Sequence, residues 1–279
     1  MGEQRTVRVF TDSTSDIPVA MREELGIEVV PLTVTFGGTT YVDGVDLTPE
    51  EFLGRLVASP KLPTTSQPSV SAFQAAFQSA IDAGEDVVCI TISSELSGTF
   101  NSARLAAGEI GDDRVRVVDS RGATMQIGWI VVVAARVAQA GGGLSAVEAA
   151  AHAAIPRVRL FALLQTLDYV YKGGRIGRAQ HMVGSALAIK PIVSVRDGVV
   201  EPLERVRTWK KAIARVTDLV TPTPTDILVL HTDNLPDASH VASALAARYP
   251  SANVGIGAAG TVISTYVGPG CIATSALYP

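Results

Sequence analysis

The chain has 279 residues, with 27 acidic against 23 basic side chains, a net charge of −4, 47% hydrophobic residues and a mean hydropathy of +0.29. That length suits two compact domains, or a single large α/β domain. The acidic balance and the lack of a long basic run argue against nucleic acid as a partner, and the apolar surplus needs a large core, a dimer face or an apolar cavity.

In chain order, the Met1–Thr6 hexapeptide matches the loose N-myristoylation pattern but lacks the basic and apolar regions of a signal peptide. "VRVFTD" (7–12) reads as a strand, and Pro18 opens a helix that ends near Gly26. "IEVVPLTVTF" (27–36) is the next extended segment, and Thr48-Pro49 caps a helix over 48–59. Further helices are expected over 69–83, 98–109 and 122–140, with strands at 86–92 and 115–119 between them. Strands alternating with helices predict parallel crossovers and a doubly wound sheet. The apolar run Ile127–Ala135 is about half the length a membrane span requires and reads as a buried helix.

After Gly141-Gly142-Gly143 and an alanine-rich helix over 145–154 the texture changes. "KPIVSVRDGVVEPL" (190–203) reads as a hairpin turning at Asp197-Gly198. "DILVLHTD" and "ANVGIGAAG" are later strands on either side of a helix over 236–248. A boundary near residue 155 therefore divides a 1–155 α/β domain from a 156–279 α+β domain. Two cysteines are too few for a disulfide framework and fit a reducing cytoplasm; Cys89, inside "VVCIT", is expected to be an inert buried thiol.

"GIGAAG" (255–260) matches the dinucleotide fingerprint in letters, but no Asp or Glu follows Gly260 to bind a ribose, so these glycines read as strand and turn. His152, His181, His231 and His240 show no metal-ligand spacing, and there is no G-x-S-x-G nucleophile elbow. Asp12, Asp43 and Asp46 are the candidates for a carboxylate cluster, though such residues more often cap helices and turns.

Two hydroxyl-rich loops remain. "LPTTSQPS" (62–69) and "ISSELSGTFNS" (92–102) each lead into a helix, with Ser66 or Ser69 as cap in the first. Ser93 and Ser94 fall at the carboxyl end of a strand and the mouth of a helix, where open α/β sheets bind ligands and backbone N–H groups favour anions. Such loops can hold a carboxylate by hydrogen bonds without transforming it. "YKGGRIGRAQ" (171–180) and "ERVRTWKKA" (204–212) add basic clusters suited to phosphate or an acidic partner.

These segments, with "TDSTSDIP" (11–18), "YVDGVDLTPEEF" (41–52), "VVDSRGATMQIG" (117–128) and "GPG" (268–270), resemble in order the DegV family of bacterial lipid-binding proteins, which includes the FakB subunits of fatty acid kinase. The resemblance implies a two-domain α/β fold, an N-terminal doubly wound parallel sheet with a C-terminal α+β domain that contributes to the acyl-chain cavity and a basic partner face. It implies a cytoplasmic, non-catalytic protein whose ligand is a long-chain fatty acid such as palmitate, with no cofactor, no metal, no nucleic acid and no stable membrane insertion. The carboxylate falls to Thr65, with Thr64 adjacent, to Ser93 and Ser94, and to Tyr266. Arg175 and Arg207 fall to a partner kinase catalytic subunit that makes the acyl phosphate. Many family members carry histidine where this chain has Tyr266, which can donate a hydrogen bond but carries no positive charge. Two other readings stay open: a stand-alone enzyme acting on a small anion with Ser94 as nucleophile, and a lipid-responsive regulatory module.

Overall fold

A computed structural model of the chain describes residues 5–111, 113–182 and 189–279. Most of the N-myristoylation hexapeptide, residues 1–4, lies outside them. The chain runs β1 (Val7–Asp12), α1 (Val19–Leu25), β2 (Glu28–Val30), β3 (Thr33–Phe36), β4 (Thr39–Val42), α2 (Pro49–Ala58), β5 (Thr64–Ser66), α3 (Val70–Asp82), β6 (Asp86–Thr91), α4 (Thr99–Ile110), β7 (Val115–Asp119), α5 (Met125–Gln139) and α6 (Leu144–Ala154). It continues with β8 (Val158–Leu163), α7 (Asp168–Lys172), β9 (Lys190–Arg196), β10 (Val199–Val206), α8 (Trp209–Asp218), β11 (Asp226–His231), α9 (Leu235–Arg248), β12 (Asn253–Ala258), α10 (Thr261–Val267) and β13 (Ile272–Leu277).

Two compact units result, one of Met1–Leu32 and Ser66–Pro156, the other of Thr33–Thr65 and Arg157–Pro279. A single boundary near residue 155 places Thr33–Thr65 in the first domain; the contacts place it in the second unit. The expected extended segment 27–36 accordingly splits into β2 and β3, which belong to different sheets. Pro31 separates them and has no N–H to continue a ladder. The Leu32 N–H donates instead to Ser13 Oγ at 3.0 Å. Beyond it Gly37 and Gly38, both at positive φ, turn β3 into β4, and β3 lies between β4 and β5 in a three-stranded sheet.

Unit one holds a four-stranded parallel sheet in the order β2-β1-β6-β7. β6 is buried along almost its whole length, as a sheet covered on both faces requires. Phe73 and Phe77 of α3 pack with Phe10 of β1, Cys89 of β6 and the alanine face of α4. The run Ile127–Ala135 lies within α5, nearly all of it buried.

Unit two is built on a six-stranded mixed sheet in the order β10-β9-β8-β13-β11-β12, in which β11 and β12 are parallel and the other pairs antiparallel. α8 and α9 pack on it through Ile213, Val216, Val241 and Leu245. The β9–β10 hairpin turns at Asp197-Gly198, both at positive φ. The small sheet's neighbour α2 packs against α10 in this unit, which is why residues 33–65 group here.

Candidate functional site

In unit one, β1 lies between β2 and β6, so the carboxyl ends of β1 and β6 flank the point where strand order reverses, the usual ligand position of a doubly wound sheet. Asp12, which ends β1, is fully buried. Its Oδ1 accepts from the Thr14 N–H at 2.9 Å and from the Thr14 hydroxyl, and its Oδ2 accepts from the Ile92 N–H at 2.8 Å. Asp12 thus ties the end of β1 to the residue following β6.

Ser93 and Ser94 follow directly. Ser93 is fully buried, and its Oγ accepts from the Glu95 N–H at 3.2 Å. Ser94 is exposed; its hydroxyl donates to Asp119 Oδ2 at 2.6 Å and its N–H to Oδ1 at 3.2 Å. Asp119, at the end of β7, also accepts from the Arg121 N–H at 2.9 Å and faces that guanidinium at 3.7 Å. A hydroxyl has one proton, and Asp119 holds that of Ser94. This pairing orients the serine; it lacks the imidazole that withdraws the proton in a Ser–His pair. Sequence reasoning missed Asp119, whose one local signal is an acidic residue closing a strand next to the Ser94 strand.

The helix starts within a residue of its expected position, a turn beyond Ser93 and Ser94. α4 begins at Thr99, because Leu96 and Ser97 fold back to donate to the Ser93 carbonyl at 3.0 and 3.1 Å. Ser97 therefore stands at the helix start, its Oγ accepting from the Thr99 N–H at 3.3 Å. The two hydroxyl-rich loops meet through an amide: Gln67 lies on Gly98, where a Cβ would come within 2.2 Å of its Oε1, and donates to Ser102 Oγ at 3.0 Å. Ser69, one of the two expected caps, accepts from the Ala72 N–H at the start of α3.

In unit two, the Thr65 and Tyr266 hydroxyls, 201 positions apart, are 2.6 Å from each other. Both residues are half-buried, and Thr64 beside them is exposed. Tyr266 sits on α10, a helix that the strand-and-turn reading of "GIGAAG" did not anticipate. One proton joins the two hydroxyls and the other remains to be given to an acceptor. The tyrosine ring lies so close to Gly173 that a Cβ there would be 2.5 Å from Cδ1. The Arg175 guanidinium carbon lies 5.2 Å from the ring centroid, and its Nη1 donates to the Gly173 carbonyl at 2.8 Å. The glycine-rich basic turn is therefore built around Tyr266. Arg207, exposed between β10 and α8, takes no part in an ion pair or in the Tyr266 cluster among the described residues.

Both thiols are free and buried. Burial pushes Cys271 up to about 12, and burial with the Asp12 charge raises Cys89 well above its ordinary value, so neither is a thiolate nucleophile near neutral pH. No group of three or more metal-ligating side chains occurs among the described residues.

The DegV family model, described as a family of uncharacterised proteins, matches residues 6–278. A DegV domain-containing protein of Caldanaerobacter subterraneus subsp. tengcongensis is 35% identical over 268 residues, 94% of this chain and 95% of its own length. Among solved structures, a DegV family protein of Thermus thermophilus, described as fatty acid binding, superposes with a TM-score of 0.91 at 32% identity, over 98% of this chain and 100% of its own. DegV of Bacillus subtilis, described as a fatty acid binding protein, does so with a TM-score of 0.89 at 30% identity, over 99% of this chain and 100% of its own.

Proposed function

This chain belongs to the DegV family, and on that premise we propose that it binds a long-chain fatty acid and presents it, without itself catalysing a reaction, to a separate ATP-dependent kinase. The observation that carries the headgroup assignment is the Thr65–Tyr266 hydroxyl pair, which keeps one proton for an anion. Thr64 lies alongside, and Ser93 and Ser94 form a second hydroxyl set, tested separately. Fatty acid binding by the Thermus and Bacillus proteins supports the choice of ligand. The acyl chain supplies the affinity: about 0.8 kcal/mol per buried methylene gives on the order of 11 kcal/mol for roughly fourteen, before ordering costs. Two free cysteines suit a cytoplasmic setting. No described helix is long and apolar enough to cross a membrane.

The exposed arginines serve the kinase step. The Arg175 and Arg207 forks suit phosphate oxygens or an acidic kinase surface. The test is to denature the purified protein and identify what it releases by mass spectrometry. A long-chain fatty acid is expected, and an extract without one removes the proposal. Thr65→Ala with Tyr266→Phe is expected to weaken oleate binding by about 1.5–3 kcal/mol per lost bond, with the fold intact. Ser93→Ala with Ser94→Ala tests the serine set separately, and unchanged binding in both double variants places the headgroup elsewhere. Glutamate at Arg175 and Arg207 is expected to leave lipid content unchanged and abolish acyl-phosphate formation with the cognate kinase. Loss of lipid instead would assign the arginines to the pocket.

A further inference from the structure

The segment Thr33–Thr65 grips α10 in two places. Asp43 follows β4 and is buried, with 4% exposure. Its Oδ1 accepts both the N–H and the hydroxyl of Thr261, at 3.0 and 2.7 Å, across 218 positions of sequence. Thr261 is the first residue of α10. A helix of seven residues is far below the length that stands alone in water, so its placement depends on what holds it. At its other end Tyr266 meets Thr65 of β5, and β5 lies in the same three-stranded sheet as β4, which leads into Asp43. One small sheet thus fixes the start of the helix and receives the hydroxyl near its end.

We infer that Asp43 is the positioning residue for Tyr266: by anchoring Thr261 it delivers the tyrosine hydroxyl to Thr65 and so sets the preference of the headgroup site for a carboxylate. This rests on the proposed role of the Thr65–Tyr266 pair. Asp43 Oδ2 has no hydrogen-bond partner among the described residues, so asparagine keeps the useful oxygen and loses no bond at the other position.

The experiment measures binding of oleate and of oleyl alcohol, which shares its chain but has a neutral head, to delipidated protein. Wild type is expected to prefer oleate. Asp43→Ala is expected to reduce that preference about tenfold while oleyl alcohol binds as before, and Asp43→Asn to restore it. In a Tyr266→Phe background, Asp43→Ala should cost no further preference. Equal weakening of acid and alcohol, full preference in folded Asp43→Ala, or an undiminished effect in the Tyr266→Phe background would each overturn the inference. Should Asp43→Ala fail to fold, Thr261→Ala carries the same test, because it removes one of the two bonds and keeps the N–H. If Tyr266→Phe alone leaves the preference intact, the headgroup reading itself is wrong, a result separable from failure of Asp43.

Discussion

Gly173 has an ordinary φ of −74°, so any residue could adopt its backbone. What excludes a side chain there is the Tyr266 ring, 2.5 Å from the place a Cβ would take. Gly173→Ala is therefore expected to displace the tyrosine, destabilise the protein by about 1–3 kcal/mol through overpacking, and weaken oleate more than oleyl alcohol. Parallel urea titrations and binding curves check this; unchanged headgroup preference would mean that the ring position is immaterial. Residues of this kind were half legible. Thr64 and Thr65 stand out as hydroxyls in an uncharged loop and Ser93 and Ser94 as a hydroxyl pair at a strand end, but nothing local to Ser94 announces that Asp119 holds its proton.

Elements were more readable than their partners. The Thr48 cap was expected from Thr-Pro, and the structure completes it as a capping box: the Thr48 N–H donates to Glu51, which holds that carboxyl below its ordinary range. α3 reads as a helix from spacing alone, and its buried face is aromatic, with Phe77 edge-on to Phe10 at 5.5 Å and 5.6 Å from Phe73. Phe77→Ala should cost about 3–5 kcal/mol, because a fully buried ring leaves a cavity that the sheet cannot close. A shift of the urea midpoint worth under about 1 kcal/mol would show that α3 contributes little to the core. β4 and β5 escaped the sequence reading, and β3 was read only as the end of one segment with β2, for a physical reason: strands of three or four residues carry little periodicity, and only their pairing makes them separate strands.

For the molecule as a whole, the stability curve against pH follows from groups whose protonation folding disfavours. Burial lowers His231 below its ordinary 6.5, against the opposing charges of Asp233 and Glu50, and its Nδ1 accepts from the Asn234 N–H at 3.4 Å. The unfolded chain thus binds this proton more readily than the native one. The His231 contribution is intact above about pH 6.5 and is lost as pH falls below it. Urea midpoints between about pH 7.5 and about pH 5.5 should fall more steeply for wild type than for His231→Asn, and parallel lines would contradict the assignment. The sequence by itself determined the α/β character, the helices with their caps and the Asp197-Gly198 hairpin, since propensity, periodicity and turn chemistry act over a few neighbouring residues. Tertiary structure alone decided that Thr33–Thr65 leaves the first unit, that Asp43 reaches Thr261 and that Thr65 meets Tyr266. Those two side-chain pairings span 218 and 201 positions, and over such a distance no short-range signal in the chain selects a partner; packing does.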